Sequence, residues 1–437
     1  MPSGNHHSPF TRFTSASSDG FGSRRPGPRV VLIGGGVIGL ALGWHLCRQG
    51  ADVSLVERRR AGQGASHAAG GMLAASLEAE PTEEALFAFG RWSQTLWPDF
   101  ARAVEAASGQ GIGYDTTGTL MAAFTRDQAA RLRRGLDFQR RLGARVEMLD
   151  AAAARAREPA LAPTLVAAGF GPDDHQVDNR LLAAALAQAF RNAGGQLIEQ
   201  ATAALDLEAG RVVGVLATAP TGETIRLPAE VTVLAAGAWS PEVEGLPAAS
   251  RPPVRPVKGQ MLAVRMPASS SEGRRSGRTG SNGPLLRHVV WGASCYLIPR
   301  GDGRLIIGAT TEERGFDDSI TAGGMLGLLD DAWRTLPAIE DLPIVETWTG
   351  FRPGSPDDQP ILGPSGTDGL LLATGHHRNG ILLTPATAAV LADLILTGRE
   401  HAEMTPFLLS RFRKTPPSQP HDMGGVLPAR VPARVPA

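Results

Sequence analysis

The sequence predicts an α/β protein organised around one strand–turn–helix–strand unit near its N-terminus. Three observations carry this prediction. An apolar run at residues 30–33 meets a glycine cluster, the cluster opens a helical segment that continues to Gly50, and an alternating strand at residues 52–56 ends on an acid, Glu57. A strand–turn–helix–strand unit with a glycine-rich turn is typical of α/β domains.

The glycine cluster has the spacing Gly34-x-Gly36-x-x-Gly39. Gly36 has no Cβ to hold a pyrophosphate away from the backbone, and Gly39 allows close packing of the helix on the strand. The helix N-terminus offers free N–H groups to phosphate. Glu57 stands where a carboxylate accepts hydrogen bonds from ribose hydroxyls and would repel a 2′-phosphate. The pattern predicts a dinucleotide site and disfavours NADP.

Residues 30–47 carry no charged side chain and follow Arg24 and Arg25, so their composition also suits a signal sequence or a membrane span. Three successive glycines at 34–36 argue against a helix there, because each costs about 1 kcal/mol relative to alanine in a helix interior. No small-residue cleavage pattern follows. We therefore expect a dinucleotide corner and no membrane span.

The composition excludes several classes of protein. The 437 residues contain 43 basic and 43 acidic side chains, so no net field gathers nucleic acid or an anionic membrane. Two cysteines, Cys47 and Cys295, cannot build a disulfide framework or a cysteine-rich metal site. We expect a cytoplasmic protein without a metal.

Three segments have compositions typical of disorder. Residues 1–28 are polar, rich in Ser and Gly, and predict a disordered extension; their scarcity of acids would also suit a transit peptide, but no amphipathic pattern supports one. Residues 268–283 predict a mobile loop, and the Pro-rich residues 415–437 a disordered tail.

The remaining chain continues the α/β pattern. Helical spacing of apolar residues predicts helices over 83–107, 126–142 and 180–192. Alternation predicts strands over 118–124, 196–199, 203–208 and 211–218. A loop of small residues at 62–71 suits either contact with a flat ligand or a flexible connection.

Later segments repeat the strand-to-turn theme. Residues 231–240 run from an apolar strand into small residues, and residues 370–380 do the same before a helix that we expect to run from near Gly380 to about 396. A hairpin is predicted to turn at residues 301–303. Residues 348–364, dense in Gly and Pro, predict a structured loop.

Several of these segments together resemble the glycine oxidases of thiamin thiazole synthesis, within the FAD-dependent D-amino-acid oxidase family. They are GGGVIG with Glu57, AAGGML, VLAAGAWS, PVKGQM, CYLIPRGDGRLIIGAT, GFRPGSPDDQPILGP and ATGHHRNGILLTPATA. The resemblance implies noncovalent FAD rather than NAD, in a Rossmann-like (GR2-type) α/β domain, and a substrate domain with a mixed or antiparallel β-sheet. The implied cofactor domain comprises residues 29–80, 177–245 and 345–400, and the substrate domain residues 81–176 and 246–344.

The resemblance also implies the site residues. The carboxylate of an amino acid would be bound by Arg352 with Tyr296, and Arg378 would also contact the substrate. No side-chain base would act in catalysis. The cofactor would be held by Gly34, Gly36, Val37, Ile38, Gly39, Glu57, Arg58, Ala65, Ser66, Gly70, Gly71, Met72, Ala203, His376, His377, Arg378, Asn379, Gly380, Ile381 and Leu382.

These residue types suit the implied chemistry. A guanidinium fork matches a carboxylate and orients it, so the Cα–H of the substrate can face the flavin, which carries the redox chemistry. The implied partners are a small amino acid, O2 giving H2O2, a second copy of the chain in a homo-oligomer, and a thiazole synthase downstream. Taken alone, Arg352 would better suit a pair with Asp357 or Asp358 that braces its loop, and Tyr296 would equally suit a place in the core.

Three alternatives stay open at this stage. A sarcosine or D-amino-acid oxidase, or a dehydrogenase that reduces another acceptor, would share the fold, and Cys295 would be the candidate for covalent flavin attachment. A non-catalytic flavin-binding subunit should have lost the carboxylate-binding residues, which are present. A tRNA-binding member should be strongly basic, and this chain is neutral.

Overall fold

A computed structural model describes residues 27–78, 83–267 and 284–412. The extension predicted over 1–28, apart from residues 27 and 28, the loop predicted over 268–283 and the tail predicted over 415–437 lie outside the described residues.

The predicted N-terminal unit forms β1 (Arg29–Ile33), α1 (Val37–Arg48) and β2 (Asp52–Glu57). β1 lies in the middle of a six-stranded sheet that also contains β8 (Gln196–Glu199), β12 (Val231–Leu234), β18 (Ile361–Pro364) and β19 (Leu370–Thr374). The strand order is β18-β19-β12-β1-β2-β8, and every pairing is parallel except β18 with β19. Ligands of such sheets bind at the carboxyl ends of the strands.

A second sheet has eight strands in the order β17-β13-β16-β15-β14-β4-β6-β5. Their bounds are β4 (Thr119–Ala123), β5 (Glu147–Asp150), β6 (Ala167–Gly171), β13 (Arg255–Arg265), β14 (Val289–Trp291), β15 (Tyr296–Pro299), β16 (Arg304–Gly308) and β17 (Ile344–Gly354). The sheet is mixed, because β14 pairs with β4 in parallel and the other neighbours are antiparallel. The predicted α/β fold class with a mixed sheet is confirmed. The division into two domains stays a prediction.

Smaller elements complete the fold. Two further sheets contain β9 (Thr202–Glu208), β10 (Arg211–Thr218) and β11 (Thr224–Pro228), and β3 (Met72–Leu73) with β7 (His175–Gln176). The remaining helices are α2 (Ala65–Ala68), α3 (Glu84–Ser108), α4 (Arg126–Arg141), α5 (Ala151–Arg157), α6 (Asn179–Asn192), α7 (Ala322–Thr335) and α8 (Thr384–Thr397).

The uncharged stretch of residues 30–47 is buried rather than exposed to lipid. Helices α1, α3, α6 and α8 pack against one another, and the core beneath them includes Trp44, Trp97, Phe100 and Phe190, each at most 1% exposed. Such burial removes apolar surface from water and stabilises the sheet on that face. None of the described helices combines the length and the apolar character that a membrane span requires.

Two local predictions were wrong. Residues 348–364 were predicted as a loop, but β17 extends through residue 354 because it pairs with β13 along ten positions despite its glycines and proline. The last helix begins at Thr384, not near Gly380. Residues 377–379 form a 3-10 turn first, and Pro385 occupies the first helical turn, where its missing N–H has no cost.

Candidate functional site

One cavity of about 710 Å³ lies at the carboxyl ends of β1, β2, β12 and β19 and extends to β13, β15 and β17. All the residues predicted to bind cofactor or substrate line it, with the exception of Gly39. The structure therefore brings together positions that are more than 300 residues apart in sequence, from Gly34 to Leu382. Its volume falls within the range of small-molecule and cofactor sites.

The glycine corner forms the floor of one end of the cavity. Gly34 has φ +114°, and a Cβ there would lie 2.4 Å from the backbone oxygen of Ala235. Gly39 acts at a distance from the cavity, because its Cβ would lie 2.1 Å from the Gly34 oxygen. Gly39 thus permits the close contact of α1 with β1 rather than contact with a ligand.

An acid and a hydroxyl organise the same end. Glu57 accepts hydrogen bonds from the N–H groups of Gly35 at 2.7 Å and Arg59 at 2.9 Å, which fixes its carboxylate at the end of β2. Each carboxylate oxygen retains acceptor capacity. The N–H of Val37 donates to Ser66 Oγ at 3.0 Å, so the first turn of α1 is joined to α2.

Trp239 and Phe351 line the cavity, Phe316 packs on both rings, and none of the three was selected for the site from the sequence. The Arg58 guanidinium lies 3.9 Å from the centre of the Trp239 ring, and Trp239 stacks on Phe316 with centroids 4.9 Å apart. Phe351 meets both rings edge to face. Trp239 belongs to the quoted segment VLAAGAWS, so its position beside a predicted corner was the available signal.

The middle of the cavity is the segment Gly70–Met72, and a buried arginine holds it. Arg300 is 8% exposed and donates to the backbone oxygens of Gly70 at 2.6 Å and Val177 at 2.9 Å, and to Asn179 Oδ1 at 3.0 Å. Burial lowers the pKa of Arg300 to about 10, so the group stays charged at neutral pH. Sequence reasoning missed this residue, because its partners lie far away in the chain.

The opposite end of the cavity contains Arg352 and Tyr296. Arg352 Nη1 donates to the backbone oxygen of Thr310 at 3.1 Å and contacts that of Lys258 at 3.4 Å. Its guanidinium lies over Gly259, where a Cβ would be 2.7 Å from Nη1. The glycine of the PVKGQM segment therefore makes room for the guanidinium.

The alternative in which Arg352 pairs with Asp357 or Asp358 is wrong. Asp357 pairs with Arg411 at 2.8 Å, and Asp358 lies 3.9 Å from Arg255 and 3.6 Å from His377. Neither carboxylate pairs with Arg352, which leaves the arginine in the cavity wall.

Tyr296 is 8% exposed and lines the cavity beside Trp291. Burial raises the pKa of its hydroxyl, and the Arg352 guanidinium opposes that shift. The hydroxyl keeps its proton at neutral pH and can donate a hydrogen bond. A Cβ on Gly308 would lie 2.9 Å from the Tyr296 oxygen, so this glycine also makes room for the site.

Arg378 lies at the rim, between two acids. Its Nη2 donates to Glu83 Oε2 at 3.0 Å, and its Nε is 3.8 Å from Glu78 Oε2. Glu78 lines the main cavity, whereas Glu83 does not. Sequence reasoning did not select Glu78.

Two histidines follow β19 and are uncharged at neutral pH. Burial lowers the pKa of His376 to about 3, and its Nε2 lies 3.2 Å from Thr387 Oγ1. Burial lowers the pKa of His377 to about 4, and Asp358 opposes that shift. His377 has φ +43°, a left-handed conformation that places it in the tight turn before α8.

Buried polar atoms in the wall indicate that the cavity is built for a ligand. Trp291 Nε1 has no hydrogen-bond partner among the described residues, although Trp291 lines the cavity. His377 Nδ1 and Asp358 Oδ1 also lack a hydrogen bond there and lie 3.6 Å from each other in the same wall. Unpaired buried polar groups are costly. Together with the glycine corner and Glu57, these groups fit a dinucleotide. Across the part of the chain that the structure describes, no cluster of three or more His, Cys, Asp or Glu side chains could hold a metal.

Comparisons with known proteins agree with this geometry. The family model described as DAO, FAD dependent oxidoreductase, matches residues 29–394. A protein named glycine oxidase from Geobacillus kaustophilus is 37% identical over 385 residues, which covers 87% of this chain and 96% of that protein. The crystal structure of glycine oxidase from Geobacillus kaustophilus matches with a TM-score of 0.77 and 36% identity over 88% of this chain and 99% of that chain.

A longer relative is also similar. The bifunctional protein ThiO/ThiG of Trichormus variabilis is 38% identical over 393 residues, which is 90% of this chain. The match spans only 56% of that relative's length.

Proposed function

Because the chain belongs to the DAO family of FAD-dependent oxidoreductases, we propose that it oxidises glycine to the imine with O2 as acceptor. The observation that carries the proposal is the Arg352 guanidinium in the wall of the cavity, with the protonated hydroxyl of Tyr296 beside it. A planar fork and a neutral donor suit a carboxylate. The small carboxylate-bearing substrate would lie at this end and the nucleotide at the glycine corner.

Oxidation of glycine to the imine removes a proton from the nitrogen, and from Cα a hydrogen together with the two electrons of the Cα–H bond. The nitrogen lone pair then forms the C=N bond. FAD, when bound, supplies the acceptor for these two electrons. O2 finally takes up two electrons and two protons to become H2O2, and water hydrolyses the released imine to glyoxylate and ammonia.

The residues of the chain would bind and orient. Gly34, Gly36 and Val37 would approach the pyrophosphate, and Glu57 the ribose hydroxyls. Arg352 and Tyr296 would fix the carboxylate and thereby the direction of the Cα–H bond. The carboxylate would replace part of the solvation that the guanidinium loses in the cavity, which strengthens the pair.

The observed start of α8 decides which backbone groups can meet the cofactor. The helix begins at Thr384, and its first-turn threonine hydroxyl donates to the Gly380 oxygen at 2.8 Å. Residues 376–382 reach the cavity as a turn instead. We propose that backbone N–H groups of this turn, rather than the helix terminus itself, meet the polar edge of the flavin.

The proposal extends to the setting of the reaction. The relative named ThiO/ThiG joins two named parts in one chain, and the resemblance implies that a thiazole synthase consumes the imine in thiamin synthesis. We include in the proposal a cytoplasmic homo-oligomer, in keeping with two cysteines that form no disulfide. Sarcosine and small D-amino acids present the same carboxylate and are the competing substrates.

A substrate panel tests the function. Purified protein loaded with FAD would be given glycine, sarcosine, D-alanine and D-proline, with peroxide formation and flavin absorbance followed together. We expect glycine to give the highest kcat/KM and one peroxide per glycine consumed. A clear preference for sarcosine or D-proline would show that glycine is not the main substrate. Flavin reduction without peroxide would show that O2 is not the electron acceptor.

A further inference from the structure

Beyond the carboxylate site, an acid occupies the same end of the cavity. The Glu78 side chain is 15% exposed and lines the cavity that also contains Arg352 and Tyr296. We propose that Glu78 binds the amino group of the substrate and accepts the proton that the ammonium loses before Cα is oxidised, which departs from the expectation, implied by the resemblance, that no side-chain base acts. This inference rests on the proposed function and assigns a residue to the amine, for which the Arg352 and Tyr296 pair offers no proton acceptor near neutral pH.

Buried hydrogen bonds hold the backbone that precedes Glu78. Asp174, which is fully buried, accepts hydrogen bonds from the N–H groups of Ser76 at 3.0 Å and Leu77 at 2.7 Å. Gln94 donates to Asp174 Oδ1 at 2.8 Å and to the Leu73 oxygen at 2.7 Å. Residues 73–77 are thus held by these hydrogen bonds, and Glu78 directly follows them.

Among the described residues, no cation lies within hydrogen-bond distance of the Glu78 carboxylate. Arg378 Nε is 3.8 Å from Glu78 Oε2, whereas Arg378 Nη2 makes its 3.0 Å hydrogen bond to Glu83. No described residue donates a hydrogen bond to the Glu78 carboxylate; the Arg378 contact at 3.4 Å is to the Glu78 backbone oxygen. The carboxylate therefore has acceptor capacity for a ligand in the cavity.

Among the described residues, charged and titratable groups from five segments act on Glu78. They are Asp174 before β7, Glu83 before α3, Tyr296 on β15, Arg352 on β17 and Arg378 after β19. Burial raises the pKa of Glu78 to about 7, and Arg378 opposes that shift. The acid thus changes charge near neutrality, as a group that exchanges a proton with substrate should.

A zwitterion matches this arrangement. When a substrate carboxylate binds Arg352, it offsets one cation near Glu78, and the ammonium group one carbon away brings a cation to the acid. Proton transfer breaks one N–H bond and forms the O–H bond of the Glu78 carboxyl, which leaves the nitrogen lone pair to form C=N. The Glu78 side chain, which is 15% exposed, then returns the proton to solvent. A carboxylate without an amine gains nothing from Glu78 and is repelled once the acid is ionised.

The test compares Glu78→Gln with Glu83→Gln, since both acids face Arg378 but only Glu78 lines the main cavity. Two quantities are measured on FAD-loaded protein: kcat/KM for glycine from pH 5.5 to 9, and the Kd of acetate from the flavin absorbance change. In the wild type, kcat/KM should rise as pH increases through about 7, because the ionised acid is the acceptor.

We expect Glu78→Gln to lower kcat/KM for glycine at pH 8 by about 100-fold and to abolish the rise through neutrality, while acetate binds at least as tightly as in the wild type. Glu83→Gln should stay within about 3-fold of the wild type in both quantities. Glu78→Asp should retain a pH-dependent rise that Glu78→Gln lacks.

Two results overturn the inference. One is a Glu78→Gln protein with wild-type glycine kinetics and pH profile; the other is an equal loss of glycine turnover and acetate binding, which indicates damage to the pocket. A wild-type protein that binds FAD but neither oxidises glycine nor binds acetate refutes the proposed function, and the role of Glu78 with it. Wild-type activity with an unaffected variant refutes Glu78 alone.

Discussion

The two ends of the cavity are built in different ways. The nucleotide end is made largely from backbone and from consecutive residues, with Gly34, Gly36 and Glu57 contributed by a single β1–α1–β2 unit. The substrate end is made from side chains, and Glu78, Tyr296, Arg352 and Arg378 come from four separate segments. The first end therefore depends on local conformation, and the second on the pairing of distant strands.

The register of the eight-stranded sheet creates the substrate end. Arg352 lies opposite Val257, and Tyr296 lies opposite Gly308, which in turn lies opposite Met261. β13 and β16 thus connect the two residues across the sheet. Bare positions at Gly259 and Gly308 leave space for the guanidinium and the phenol ring.

The largest effect should follow from Arg352→Ala, which breaks the substrate end alone. Loss of a charge-assisted bidentate pair in a cavity should lower kcat/KM for glycine by about 1000-fold. Bound FAD should stay at one per chain, because Arg352 belongs to the other end. Steady-state kinetics and the flavin-to-protein absorbance ratio check both statements.

Arg352→Lys provides the control, because it keeps the charge without the fork and should fall between the two proteins. Loss of FAD together with activity in Arg352→Ala would show that the two ends are not separable.

Gly34→Ala should impair the nucleotide end and leave the substrate end intact. The new Cβ would lie 2.4 Å from the Ala235 oxygen at φ +114°, so the corner must shift. We expect the Kd for FAD to rise by about 100-fold, since strain of this kind costs on the order of 1–3 kcal/mol. The KM for glycine of the fraction that holds FAD should stay near the wild-type value.

Gly50→Ala is the matched control, because Gly50 has φ +90° but open space around its Cβ position. It should lower the Tm and leave the FAD Kd unchanged. Equal FAD loss in both variants would attribute the effect to general strain instead of the cofactor corner.

A smaller effect should follow from Arg300→Met, at the junction of the two ends. The substitution removes the hydrogen bonds to Gly70 and Asn179 but preserves much of the side-chain volume. We expect about a 10-fold weaker FAD Kd and a lower Tm, since buried acceptors lose a charged donor. Fluorescence titration with FAD checks the affinity, and unchanged binding would remove Arg300 from the support of the Gly70–Met72 segment.

The smallest effect should follow from Cys295→Ser. Cys295 is buried, and burial raises the pKa of its thiol, so the reactive thiolate is disfavoured. We expect the folded wild type and the variant to oxidise glycine with similar kcat and KM. Denaturation should then release FAD from both proteins. Flavin that stays on the denatured wild-type chain would instead support covalent attachment of the kind proposed for a sarcosine oxidase.

The difference between the two ends also explains what the sequence allowed us to predict. The glycine corner, Glu57 and the hairpin between β15 and β16 follow from local pattern, and the structure contains them. Arg352 and Tyr296 were selected through a family resemblance, because no spacing brings residues 296 and 352 together. Their strand register does so.

Unlike Trp239, three of the residues that were missed share one property. Glu78, Arg300 and Trp291 have no local motif, and each is defined by partners distant in the chain or by burial. The predicted helix start near Gly380 was wrong for a related reason. The turn at residues 376–383 is folded against the cavity, and Pro385 favours a start just before it.

The most direct measurement is the anaerobic reduction of the FAD-loaded protein by glycine, followed through the loss of flavin absorbance in the wild type and in Arg352→Ala. We expect glycine to bleach the wild type completely, and to bleach the variant about 1000-fold more slowly at low glycine while FAD remains bound. Equal bleaching rates in the two proteins, or a purified wild-type protein that takes up no FAD, would contradict a flavin site in which Arg352 captures the substrate.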